Sequence, residues 1–229
     1  MPDSTIGARW SPLQERVQVR TALVALVVLM FSAGCTSLFP AQTPAVVFDL
    51  GEPPRLEQSP MLIPGRIEVR APSWLDTPAM QYRLAYQLPA SRDAYIASKW
   101  AAPPAEMMQR MIARTLGIGD DPARPCRLRV ELDEFVQVFK DPQVSESRLF
   151  ARVELIDARG GARLASTEFE VSQAAASPDA RGGVAAHQNG VSKFISGTVN
   201  WLTDVGNKPG GPAQRCHGVG TSAPDKTQE

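Results

Sequence analysis

Three cysteines carry the clearest chemical signals in this sequence. Cys35 follows an apolar run at residues 22–31 (ALVALVVLMF), and Ala33 and Gly34 stand directly before it, while three arginines precede the run. Ten apolar residues are fewer than the roughly 20 that span a bilayer, but they suit the apolar region of a secretory signal. We therefore expect a bacterial lipobox, with cleavage after Gly34 and acylation of the Cys35 thiol. The alternative is a plain signal peptide with an incidental cysteine.

Cys126 and Cys216 form an even pair in the chain that would remain after export. Because exported proteins fold in an oxidising compartment, we predict that these two cysteines form a disulfide. The alternative is two unrelated thiols. The two histidines, His187 and His217, and the cysteines have no zinc-ligand spacing, so we expect no metal site and no cofactor.

Catalytic signatures are missing from the sequence. It has no Gly-x-Ser-x-Gly, no phosphate-binding glycine loop and no His-Glu-x-x-His. The close carboxylates of Glu131, Asp133 and Glu134 fit the solvated face and bulge of a strand better than an acid–base pair. We interpret His187 as an exposed or capping side chain. The sequence therefore predicts a protein that is not an enzyme.

Two tryptophans lie beside proline-rich turns. Trp74, with its neighbour Asp76, and Trp100 are candidate partner-binding residues, because large aromatic side chains on rigid turns are good interface anchors. Both tryptophans could equally fill a core. Three methionines at helical spacing, Met107, Met108 and Met111, fit a core better than a lipid-contacting patch.

Composition excludes several classes of protein. The 229 residues carry 24 basic and 24 acidic side chains, with 43% hydrophobic and 21% charged residues. These values are those of a globular protein rather than a disordered chain, a coiled coil or a polytopic membrane protein. Because there is no basic surplus to neutralise phosphates, we expect no nucleic-acid partner.

Hydrophobic periodicity predicts an α+β fold. Alternating apolar residues indicate strands, including one at residues 80–88 and a long one at residues 127–139 with a bulge near Asp133 and Glu134. Helical spacing follows Pro103 and ends at Gly117, and it returns over residues 182–202. We expect an antiparallel or mixed sheet with two helices on one face, in a single domain.

The same patterns divide the chain into four segments. Residues 1–34 form the signal, residues 35–45 a tether rich in small and polar residues, and residues 46–204 the folded domain. Residues 205–229 are rich in Gly, Pro and Ser, so we expect a flexible tail apart from Cys216.

Residue order and spacing over about residues 46–202 resemble a known family. The features that carry the resemblance are Cys35, the strand Phe48-Asp49-Leu50, Ile67-x-Val69 with Trp74-Leu75-Asp76-Thr77-Pro78, Tyr82-Arg83, Lys99-Trp100-Ala101-Ala102-Pro103-Pro104, Leu128-x-Val130-x-Leu132-x-Glu134-Phe135 and Ser177-Pro178-Asp179. Together they resemble the ABC-type transport auxiliary lipoproteins, the PqiC-like (YmbA) family. The sequence departs from many relatives by its Cys126 and Cys216 and by a longer tail.

The resemblance implies a non-enzymatic lipoprotein that faces the periplasm from the outer membrane of a Gram-negative bacterium. It implies that an inner-membrane ABC transporter and an MCE-domain (mammalian-cell-entry) protein are partners in moving lipid across the envelope. It leaves a homo-oligomer open. The alternative function is a structural or assembly lipoprotein of the envelope that takes no part in transport.

Overall fold

The computed structural model describes residues 44–56 and 59–216. This part of the chain forms seven strands, two long helices and one short helix. They are β1 (Val46–Phe48), β2 (Arg66–Arg70), β3 (Ala79–Leu84), β4 (Asp93–Trp100), α1 (Pro104–Leu116), β5 (Cys126–Phe139), β6 (Ser145–Asp157), β7 (Arg163–Ala174), α2 (Ala180–Asn207) and α3 (Ala213–Cys216). The expected Cys35 lipobox and the signal lie outside the described residues.

One mixed sheet contains all seven strands, with β5 at its centre. The 14-residue strand β5 is long enough to pair with two strands on one edge: β2 runs parallel to residues 127–131, and β3 runs parallel to residues 137–139. On its other edge β5 pairs antiparallel with β6, which pairs antiparallel with β7. On the far side, β3 pairs antiparallel with β4, and β4 pairs parallel with β1. The predicted α+β fold with a mixed sheet is confirmed.

Strand β5 changes phase at a bulge. Its register with β6 shifts between Leu132 and Glu134, where the sequence pattern predicted it. The extra residue shifts which side chains of β5 face the helices. Leu128 and Leu132, before the bulge, and Phe135, after it, therefore all lie in one buried cluster.

Strand β3 is shorter than its sequence pattern predicted. The apolar alternation continues to Leu88, but the strand ends at Leu84. There the chain turns back, because the Gln87 and Leu88 amides both donate to the Leu84 carbonyl, at 3.0 and 2.9 Å. Tyr86 and Leu88 therefore lie in the β3–β4 hairpin loop rather than on a buried strand face.

Helix α1 begins and ends as its sequence predicted. Pro103 precedes it and Pro104 opens it, and Gly117 ends it with a left-handed φ of 62°. The helix packs on β2, and its methionines are buried, so Met107, Met108 and Met111 belong to the core.

Helix α2 is the longest element and packs on β6 and β7. The Asp179 side chain caps it by accepting from the Gly182 amide at 2.8 Å, which satisfies one free donor of the first turn. A stripe of apolar side chains faces the sheet, and α2 also contacts α1. The two helices thus cover one face of the sheet and close a single core.

The outer face of the sheet is charged. Arg129 lies 3.7 Å from Glu68 and 3.8 Å from Glu154, and Arg152 pairs with Glu168 at 3.0 Å. Along β5 and β6 the charged residues alternate with buried ones, and along β7 exposed residues alternate with half-buried ones, which gives the sheet one apolar and one polar face.

Ordered structure continues beyond the expected domain end at residue 204. Helix α2 extends to Asn207, and α3 follows at Ala213–Cys216. The segment as far as Cys216 therefore differs from the flexible tail that its composition predicted, and residues 217–229 lie outside the described part. Among the described residues, no helix is long and apolar enough to cross a membrane.

Candidate functional site

Trp74 stands on a tight turn between β2 and β3. The Leu75 and Asp76 amides both donate to the Pro72 carbonyl, at 2.9 and 3.2 Å. Leu75 is buried in the core, whereas Trp74 is 55% exposed and Asp76 is also exposed. The buried leucine fixes the turn, so the indole is presented to solvent from a backbone that is already ordered.

Trp100 lies in the core, so its expected role as a partner anchor is wrong. Its side chain is only 3% exposed. The indole packs edge-to-face against the rings of Phe135 and His187, with centroids 5.6 Å away in both pairs. Strand β4 carries it to the position where α2 crosses the sheet, which its local sequence could not reveal.

A chain of hydrogen bonds connects the Trp74 turn to the β3–β4 hairpin. The Gln81 side-chain amide donates to the Trp74 carbonyl, and its oxygen accepts from Arg92 Nη1 at 3.1 Å. Arg92 in turn forms an ion pair with Glu134. The turn and the hairpin, at opposite ends of β3, are therefore held by one polar network.

Glu134 organises this network from the bulge of β5. Its carboxylate contacts Arg92 and lies 3.1 Å from Arg83 Nη2, and the Arg83 Nη1 atom donates to the Pro89 carbonyl at 2.8 Å. The sequence placed Glu134 on a solvated strand face at a bulge; the bulge is present, and the side chain is half-buried between two arginines. Its acceptor oxygen is engaged in holding the hairpin.

The hairpin and the neighbouring strand expose apolar side chains. Leu88 is 66% exposed, Tyr86 is also exposed, and Ile96 of β4 is 97% exposed. A shallow pocket of about 450 Å³ lies under the hairpin, between Arg83 and Leu88. We call Trp74, Asp76, Tyr86 and Leu88 the docking surface. Sequence reasoning missed Tyr86 and Leu88, although Pro89 directly after them signals a turn.

His187 is buried rather than exposed, which corrects the sequence interpretation. Its ring stacks on Phe135 at a centroid distance of 4.1 Å, and Nδ1 has no hydrogen-bond partner. Burial lowers the pKa of the imidazole to about 3, so the side chain is neutral at physiological pH. Its spacing from Val184 and Val191 on α2 fits the apolar stripe and was the available signal.

The described residues offer no group of three or more His, Cys, Asp or Glu side chains placed to hold a metal ion. With His187 enclosed by aromatic rings and Glu134 tied to two arginines, neither side chain is set up for acid–base chemistry. What the arrangement can do is present a rigid, partly apolar surface to another molecule.

A disulfide joins Cys126, the first residue of β5, to Cys216 at the end of α3. The two Cα atoms lie 5.0 Å apart across a sequence separation of 90 residues. Arg159 Nη2, from the β6–β7 turn, donates to the Arg215 carbonyl at 3.1 Å and adds a second attachment for α3. Both cysteines are buried.

Two solved structures share the fold of this chain at low sequence identity, and a third has a lower similarity score. A crystal structure of a Xanthomonas campestris protein of the DUF330 family matches with a TM-score of 0.60 and 16% identity, covering 70% of this chain and 95% of that one. An uncharacterised protein matches with a TM-score of 0.56 and 11% identity, covering 70% and 99%. A putative lipoprotein from Caulobacter crescentus matches with a TM-score of 0.39 and 15% identity, covering 62% and 93%.

No curated protein matches the chain. The family described as "ABC-type transport auxiliary lipoprotein component" matches residues 58–196. This range begins before β2, ends within α2 and includes the docking surface, the bulge of β5 and the buried His187. Because the match spans more than half of the 229 residues, the chain belongs to the family of ABC-type transport auxiliary lipoprotein components.

Proposed function

We propose that the protein is a lipid-anchored accessory subunit of an ABC/MCE-type system that moves lipid across the bacterial envelope. It faces the periplasm from the outer membrane, acts with an MCE-domain protein and inner-membrane transporter components, and catalyses no reaction. The family match over residues 58–196 carries this proposal. The lipobox pattern that ends at Cys35 supports the anchor.

The docking surface is the part of the domain that contacts the partner protein. An exposed tryptophan on a rigid turn loses little conformational entropy on binding, and such aromatic residues dominate the energy of many interfaces. Leu88 and Tyr86 add a second exposed apolar area at the other end of β3, while Asp76 supplies a charge beside Trp74. The polar network through Glu134 keeps the two loops in a fixed arrangement before the partner arrives.

A structural or assembly lipoprotein of the envelope is the alternative. Such a protein also needs an anchor and a folded periplasmic domain, but it has no need to bind an MCE-domain protein. Binding to that partner therefore separates the two functions.

The test is co-purification with the MCE-domain protein after extraction in mild detergent. We expect the wild-type chain to retain the partner and Trp74→Ala to weaken retention at least tenfold without a change in melting temperature, because the indole is exposed. Met61→Ala is the matched control: Met61 is also exposed, but it lies against Gly206 at the end of α2.

Two outcomes would contradict different parts of the proposal. A wild-type chain that does not retain the MCE-domain protein rejects the transport role in favour of the alternative. A Trp74→Ala chain that binds as the wild type does rejects the docking surface alone.

A further inference from the structure

A cleft of about 820 Å³ opens at the end of the sheet where β2 and β5 begin. Its walls are the loop at residues 120–125, the first residues of β2 and β5, and the β6–β7 turn. The docking surface does not include this region, and the description of the family assigns no role to it. The cleft lies beside the disulfide, since Cys126 is one of its lining residues.

Four arginines line the cleft: Arg66, Arg124, Arg127 and Arg159. Its acidic lining residues are Asp120 and Asp121. The lining therefore carries a surplus of two positive charges, although the chain as a whole has a formal net charge of zero. This concentration of guanidinium groups in one concave place favours an anionic ligand.

Arg66 and Arg127 are direct partners in the parallel pairing of β2 with β5. Neighbouring strands lie only about 4.8 Å apart, and like charges that stand opposite each other destabilise a strand pair. Arg66 is compensated, because Asp120 accepts from its Nε and Nη2 atoms at 2.9 and 2.6 Å.

Arg127 lacks a close carboxylate partner of this kind among the described residues, since Glu68, which is shared with Arg70 and Arg129, interacts with it only over a longer distance. Arg127 takes part in none of the ion pairs of the described residues, and its Nε atom is shielded from solvent without a hydrogen-bond partner. A shielded guanidinium donor without an acceptor costs free energy unless a ligand supplies one. Arg127 is thus the arginine of the cleft whose Nε atom lacks an acceptor among the described residues.

The other two arginines stand near the cleft opening with partial partners. Arg124 Nε lies 3.3 Å from Asp121, and Arg159 lies 4.0 Å from Asp157 while it donates to the Arg215 carbonyl. Both side chains are about half exposed, so they can reorient toward a bound anion.

We propose that this cleft binds a phosphate group, with Arg127 as its principal ligand and Arg124 and Arg159 at the rim. A guanidinium donates two parallel hydrogen bonds to phosphate oxygens, and a phosphate has enough oxygens to engage more than one arginine. The cleft is larger than a single phosphate, so there is room for a group esterified to it. The phosphate comes from a lipid headgroup or from a free phosphate compound.

Binding is measured by isothermal titration of the full-length processed protein in a phosphate-free, non-ionic detergent. The probes are inorganic phosphate, dihexanoylphosphatidylglycerol below its micellar concentration, and dihexanoylglycerol, which lacks the phosphate. We expect the first two to bind and the third not to bind. If the phospholipid binds at least tenfold more tightly than inorganic phosphate, the source is a headgroup; equal affinities assign a free phosphate group.

Arg127→Gln should weaken phosphate binding at least tenfold. The affinity of Arg127→Lys for phosphate should lie between those of Arg127→Gln and the wild type, because lysine keeps the charge but cannot donate two parallel hydrogen bonds. Removing Arg127 relieves its opposition to Arg66, so the melting temperature should stay equal or rise. The matched control is Arg152→Gln, on the outer face of β6 and paired with Glu168, which should bind as the wild type does. If Arg127→Gln does not fold, Arg124→Gln in the exposed loop replaces it.

The proposal is overturned if neither phosphate probe binds, if dihexanoylglycerol binds as tightly as the phospholipid, or if the arginine variants in the cleft bind like Arg152→Gln. None of these results bears on retention of the MCE-domain protein, so failure here is distinct from failure of the proposed transport role.

Discussion

His187 is an ionisable side chain that the fold keeps uncharged. Phe135 and Trp100 surround its ring, and burial lowers its pKa to about 3, against about 6.5 in an unfolded chain. Between these two values the unfolded state binds more protons than the folded state, so stability rises with pH. The stability that depends on neutral His187 is complete above about pH 6.5 and is lost as the pH falls toward 3.

We therefore expect the free energy of unfolding to drop by about 1.4 kcal/mol between pH 7.5 and pH 5.5 through His187 alone. Urea unfolding at the two pH values measures this drop. The His187→Leu variant is the control, because it keeps an apolar side chain of similar volume and should lose most of the pH dependence. An equal drop in both proteins would show that His187 does not titrate with a depressed pKa.

Gly183 is required by the packing of Gln137 against the first turn of α2. A Cβ at Gly183 would lie 2.0 Å from the Gln137 side-chain oxygen. That amide is fully engaged: it accepts from the Tyr95 hydroxyl at 2.9 Å and donates to Ser145 and to the Asp179 carbonyl. Gln137 is buried, so its side chain cannot move away without breaking these hydrogen bonds.

Gly183→Ala should therefore cost about 1–3 kcal/mol of stability. Gly190→Ala in the same helix is the matched control, because its Cβ would meet Ser147 at an ordinary 3.5 Å. Alanine there should be neutral or stabilising by up to about 1 kcal/mol, since it is the better helix former. Chemical denaturation compares the two variants, and equal effects would remove the special role of Gly183.

At the scale of elements, sequence patterns predicted those whose limits are set locally. Pro103, Pro104 and Gly117 fix both ends of α1 because they restrict the backbone themselves. The phase change between Leu132 and Phe135 likewise predicted the bulge of β5. The end of β3 was missed because the alternation through Tyr86 and Leu88 continues where the backbone turns back on itself.

The functional residues divide in the same way. For Trp74 the sequence left a surface position and a core position open, and the structure places its side chain at the surface. Trp100 could not be assigned, because its burial depends on β4, β5 and α2 meeting in space, whereas the spacing of His187 along α2 did indicate the buried face of the helix. The role of Glu134 also arises from tertiary structure, as its arginine partners lie more than 40 residues away in the sequence.

The disulfide acts between two elements, the start of β5 and the short helix α3. Cross-linking Cys126 to Cys216 closes a loop of about 90 residues, worth roughly 4–5 kcal/mol in the chain-entropy model. A typical net stability is about 5–15 kcal/mol, so this one bond is a large part of it. Cys216→Ser should lower the free energy of unfolding by an amount of this order.

Non-reducing peptide mapping of protein made in the periplasm checks the bond directly, and we expect the Cys126 and Cys216 peptides to migrate as one linked species. The Cys126→Ser/Cys216→Ser double variant is the control for stability, since it should resemble the single variant if only this bond is lost. Two alkylatable thiols in the wild-type chain would contradict the pairing.

At the scale of the whole molecule, charge gives the domain no reason to remain on a membrane. Cleavage after Gly34 would remove three arginines and two acidic residues, which leaves a net charge of −1. The outer face of the sheet is largely neutralised by its own ion pairs. Anionic lipid attracts proteins with a large basic surplus, and the surplus of two charges in the arginine cleft is small, so durable anchoring would depend on acyl chains at Cys35.

Replacing Cys35 with serine should therefore release the protein from the membrane or leave it unprocessed. Each buried CH₂ of an acyl chain contributes about 0.8 kcal/mol, and two or more chains hold a protein durably, whereas a hydroxyl at residue 35 offers no thiol for acylation. Fractionation of cells, with mass spectrometry of the mature N-terminus, measures both outcomes. Cys216→Ser is the control because it also removes one cysteine but keeps the lipobox, so it should stay with the outer membrane.

Since electrostatic binding is screened by salt and acyl insertion is not, the wild-type protein should also resist a wash in 1 M salt. If processed Cys35→Ser protein still sediments with the outer membrane after that wash, another part of the chain holds it there and the anchor at Cys35 is refuted.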